Sequence, residues 1–95
     1  MTKESAKWDT AEFLENEADI AEYLNAALED GDPSLLAVAL GNVARAKGMT
    51  QLSKETGITR DGLYKALCET GNPSFATVQK VIKAFGLKFD VVRSA

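Results

Sequence analysis

The chain has no histidine and a single cysteine, Cys68. Without an imidazole, nucleophilic triads that rely on one are excluded, and the commonest nitrogen ligand for metals is missing. One thiol supports neither an intrachain disulfide nor a thiolate metal cluster, and a lone reduced cysteine suits the cytoplasm. Aromatics make up only 7% of the chain, so its core must be aliphatic and closely packed. Long hydrophobic runs are also missing. The longest, Leu35–Leu40, falls far short of the roughly 20 apolar residues that span a membrane. No apolar segment follows Met1–Lys7, so no signal peptide is expected. A cytoplasmic protein without membrane contact is the expectation.

What is present is one domain's worth of chain, 95 residues and 10.2 kDa, with 45% hydrophobic residues. The net charge of −3 and pI near 4.9 at first argue against a nucleic-acid partner. That charge is unevenly divided. Residues 1–35 hold ten acids and two bases, a net −8, whereas residues 36–95 hold four acids and nine bases, a net +5. Such asymmetry suggests two surfaces with different partners, against the plainer alternative of solvated helix faces.

Capping residues and apolar spacing predict a series of helices. Asp9 can cap a short first helix carrying Ala11, Phe13 and Leu14, with Trp8 stapling it. A second helix, from about Ala18 to Glu29, sets Ile20, Leu24, Ala27 and Leu28 on one face. Gly31 suits its end, Asp32 the next N-cap and Pro33 the first position of a third helix reaching Lys47. Leu36, Leu40 and Val43 stripe this third helix and Leu35 and Ala39 widen the stripe, which marks it as central. Gly41 in its middle costs about 1 kcal/mol relative to Ala, and close approach of a neighbouring helix would explain it.

The strongest signal follows Gly48. Thr50 can cap a two-turn helix ending at Gly57, and Thr59 can cap another immediately after, with Leu52, Ile58, Leu63 and Leu67 packing the two together. Two short helices joined by a tight glycine turn make a helix-turn-helix. After a loop over 68–73, Ser74 can cap a last helix with Phe75, Val78, Val81, Ile82 and Phe85 inward. Gly86 ends it, and Leu87 can fold back onto Ile82. Leu87–Val92 mostly alternates apolar and polar residues. It reads either as a strand paired across a two-fold dimer or as an extended tail on the core.

Residues from about 33 to 86 resemble the Xre/Cro-type helix-turn-helix domain, the λ-repressor-like fold. The resemblance rests on the pair around Gly57 and the helix start Asn72–Val78. The segments Arg60–Leu67 and Gly71–Val78, with the acidic stretch Ala18–Leu24, resemble more narrowly the addiction-module antidote proteins, HigA-like antitoxins. Ser53 stands where such motifs usually carry Ala, and the tail replaces a fifth helix found in many of these domains. The implied fold class is all-α: an acidic helical extension over 1–32 and a helix-turn-helix domain with a short extended tail over 33–95, forming one compact unit. The implied function is a DNA-binding repressor that neutralises a small basic RelE/HigB-like toxin and autoregulates its operon.

In such a motif the second helix enters the major groove, N-terminal end first. That exposes Thr59, Arg60, Asp61, Tyr64 and Lys65 and turns Leu63 and Leu67 inward. Arg60 can read guanine O6 and N7 or contact phosphate. Tyr64 can meet a thymine methyl, a phosphate or its own helix surface, and Lys65 suits phosphate. Asp61 can accept from cytosine N4, but orienting Arg60 or favouring the helix N-terminus fits it better. Thr50 and Gln51 open the preceding helix, where free N–H groups meet phosphate, and Lys54 adds a cation. Asn72 and Ser74 flank another helix start. Cys68 reads as a small, partly buried apolar residue. A homodimer on a palindromic operator would multiply the contacts. No catalytic spacing stands out among the carboxylates, hydroxyls and lysines, and no cofactor or metal is expected. The rival readings are a plain phage-type repressor without a toxin and an interaction module that has lost DNA.

Overall fold

The structure, a computed structural model, describes residues 16–94. Among these residues five helices follow one another: α1 Glu17–Asp30, α2 Pro33–Lys47, α3 Met49–Thr56, α4 Arg60–Ala66 and α5 Phe75–Ala84. Among the described residues there is no strand. The short helix expected after Asp9, with Trp8, Ala11, Phe13 and Leu14, lies outside the described residues.

The helix ends show why the chain breaks where it does. Asn16 caps α1 by accepting from the Asp19 N–H at 2.9 Å, so that helix starts one residue before the sequence expectation and ends one after it. Asp32 caps α2 through the Ser34 N–H at 3.0 Å, with Pro33 in its first turn. Ser74 caps α5 through the Thr77 N–H at 3.1 Å. At its far end the Leu87 N–H bonds the Ile82 carbonyl and the Gly86 N–H that of Lys83, the double bond pattern of a Schellman cap. One cap is corrected. Thr50 does not begin α3; Gly48 does, without a side-chain hydrogen bond, and Met49 is already helical and buried. A threonine cap needs its residue outside the helix, and Thr50 is one residue too far in.

Ile20, Leu40, Val43, Leu63, Leu67, Val81 and Phe85 form the fully buried centre, drawn from every helix but α3, which adds Met49 and Leu52. Each such side chain stabilises the fold by about 1.5–3 kcal/mol. The central position of α2 is borne out, but its buried face is rotated toward its small residues. Ala37, Gly41 and Ala44 are buried, while Leu35 is exposed and Leu36 half-buried. At Gly41 a Cβ would collide with the Leu67 carbonyl oxygen at the end of α4, so the close approach is real. Two further expectations fail at helix edges. Leu28 lies at the margin of the α1 face and is exposed. Phe75, in the first turn of α5, misses the core and meets Phe89 of the tail instead, with ring centroids 5.6 Å apart.

Candidate nucleic-acid interface

The site grows from the turn between α3 and α4. Gly57 closes α3 at φ +76°, a conformation that costs a residue with Cβ but not glycine. Hydroxyls of α3 then hold the backbone of Ile58 from both sides. Thr56 Oγ1 accepts from the Ile58 N–H at 3.2 Å, and Ser53 Oγ donates to the Ile58 carbonyl at 2.6 Å. Thr59 Oγ1 accepts from the Gly62 N–H at 3.0 Å and starts α4. Seven residues are too few for a helix to persist alone, so α4 depends on that cap and on burial of Leu63 and Leu67.

At 100° per residue, Arg60, Tyr64, Asp61 and Lys65 occupy a contiguous outward arc of about 140°, and the buried Leu63 falls outside it. Arg60, Asp61 and Lys65 are exposed, and Tyr64 retains 43% of its surface. On α3 the same spacing groups Thr50, Gln51 and Lys54 outward, while Met49 and Leu52 are buried. Two side chains behave differently from expectation. Asp61 pairs with Lys65 at 3.2 Å, one turn along α4, rather than with Arg60. Gln51 donates to Glu55 at 2.9 Å, which draws its amide along α3.

Asn72 and Ser74 are exposed but belong to the other end of α4. Gly71 lies against the Lys65 and Ala66 carbonyls, about 9 Å of helix rise from Arg60. The Ser74 hydroxyl is already engaged, accepting from the Thr77 N–H and donating to Thr77 Oγ1 at 3.1 Å. Cys68 is half-buried. A hydrogen bond with the Thr70 hydroxyl is the main influence holding its thiol pKa below the usual value. Desolvation opposes this, and the Arg45 charge adds to the lowering.

Nothing in the apolar spacing signals a polar chain that ties α1 to α2. The Asn42 amide donates to the Tyr23 hydroxyl at 2.8 Å, and Arg45 donates to Asn42 Oδ1 at 2.8 Å. Arg45 thereby brings an additional cation toward the loop after α4. Among the described residues no group of His, Cys, Asp and Glu side chains could hold a metal, and no helix is long and apolar enough to cross a membrane.

Fold and surface define the class: a small protein, all-helical among the described residues, whose two short helices α3 and α4 present polar and basic side chains outward. Within that class the chain belongs to the family described as "Probable addiction module antidote protein", whose model it matches over residues 4–93. It is 49% identical over 94 residues to a Haemophilus influenzae protein described as uncharacterized, covering 99% of this chain and 97% of that relative. No solved structure matches. Membership in an antidote family points to a toxin–antitoxin role and a toxin partner.

Proposed function

We propose that the protein is the antitoxin and autorepressor of a toxin–antitoxin operon. It binds operator DNA as a homodimer through the α3–turn–α4 pair, in the cytoplasm. The observation that carries this reading is the outward face of α4, where Arg60, Tyr64 and Lys65 stand exposed on a helix pinned from behind by Leu63 and Leu67. In the major groove Arg60 reads a guanine edge, and Thr59 and Tyr64 contact the adjoining bases and backbone. Lys65, Lys54 and the first turn of α3, with Thr50 and Gln51, hold phosphates. Asp61 restrains Lys65 and favours the α4 N-terminus. Asn72 and Ser74 bound the far edge of the same face.

The acidic region over 1–32 is the surface for a small basic toxin of the RelE/HigB type, where opposite charge speeds and orients encounter. Family membership favours this over a plain repressor without a toxin. A gel shift on the DNA upstream of the gene, with and without the protein encoded beside it, tests both halves. Retarded DNA and a further shift by the neighbour are expected. A protein that neither retards that DNA nor binds its neighbour refutes the reading.

A further inference from the structure

We propose that residues 87–92 pair with the same residues of a second copy of this chain. The pairing runs antiparallel about a two-fold axis at Phe89, and this ribbon is the dimer interface. The inference deepens the homodimer in the proposed function and rests on that part of it, not on DNA recognition.

The tail is open for pairing. After the Leu87 N–H bonds Ile82, no backbone–backbone hydrogen bond involves residues 88–94 among the described residues. Unpaired peptide groups outside any helix are a template for another chain. The side chains point the same way. Leu87 is half-buried on the core and Phe89 stacks on Phe75, but Val91, next in that alternate row, is 95% exposed. The row therefore continues beyond the body that should cover it. Beside it, α5 and the tail enclose a groove of about 690 Å³ whose walls include Ala76, Ile82 and Leu87, rimmed by Lys80 and Lys83. A second copy supplies its own Val91 to this groove and receives Val91 in return.

Charge selects the register. A two-fold axis normal to the ribbon keeps each side chain on its own face, so directly opposed residues must differ by an even number. Centred on Phe89, the ribbon sets Lys88 opposite Asp90 of the second copy, twice, and Leu87 opposite Val91, twice. The two neighbouring registers set Lys88 against Lys88 or Asp90 against Asp90. Both charged side chains are exposed, and neither has a salt-bridge partner among the described residues.

Sedimentation equilibrium of the full chain, without DNA, tests the proposal. The wild type is expected to dimerise. Lys88→Asp and Asp90→Lys are each expected to raise the dimer Kd about tenfold or more by opposing like charges, and the double variant to restore it. An independent variant, Phe89→Cys in a Cys68→Ser background, is expected to form an interchain disulfide on oxidation, because opposed positions fall within disulfide reach. A monomeric wild type, single variants that dimerise as the wild type does, a double variant that fails to recover, or absence of the cross-link each overturns the proposal. Because no DNA is present, a failure here is separable from a failure of operator binding.

Discussion

Two hydroxyls on α3 fix the backbone of Ile58, the residue before the cap that starts α4. With both polar groups of Ile58 taken by Thr56 and Ser53, the turn is set by side chains as well as by Gly57. Ser53→Ala is expected to cost about 1 kcal/mol, read as a lower urea midpoint at unchanged slope. Gly41→Ala is expected to cost more, about 1–3 kcal/mol, since its Cβ meets a backbone carbonyl that cannot swing aside. A stability equal to wild type would show that α2 and α4 are not in this contact. At this scale the caps at Asp32, Thr59 and Ser74 were legible, because each chemistry is local to two or three residues. Thr50 was misread because a capping residue one position inside a helix has the same sequence signature as one at its edge. The Asp61–Lys65 pair is the contact that helix spacing favours, since residues four apart meet on a helix surface and adjacent ones such as Arg60 and Asp61 do not.

Helix α1 belongs to the core. Ile20, Leu24 and Ala27 are buried with the residues of α2 and α5, and the Tyr23–Asn42–Arg45 chain joins α1 to α2. Removing the acidic region to test toxin binding would therefore unseat the fold. Leu24→Ala alone is expected to cost about 2–5 kcal/mol in thermal or urea unfolding. The informative change is on the exposed side. Reversing Glu22, Glu29 and Asp30 to Lys together is expected to slow association with the basic neighbour about tenfold or more while leaving fold and DNA binding intact. Unchanged association rates would remove the acidic face from the partner surface. The order of helices and the breaks at Gly31, Gly57 and Gly86 were readable from punctuation. The rotation of α2 was not, because Ala37, Gly41 and Ala44 carry little hydrophobic signal yet permit the closest packing. Phe75 and Leu28 looked inward because spacing fixes a face but not its edges.

Across the whole molecule the charge is divided rather than merely acidic. A net of −3 conceals a basic body of +5 carrying the α3–α4 face and an acidic part of −8. Phosphate affinity follows local cations, so acidity of the total does not oppose DNA binding. With Lys54 and Lys65 of each protomer on phosphates, a dimer neutralises about four phosphates and should show a log–log salt slope of about −4. The most direct measurement is a fluorescence-anisotropy titration of DNA from upstream of the gene, across salt concentrations, for the wild type and Arg60→Ala. Specific binding that weakens steeply with salt is expected, with a loss of about 10- to 100-fold in the variant on this DNA and little on unrelated DNA. Equal affinity for both DNAs, or a variant that binds as the wild type does, would contradict a DNA-reading α4.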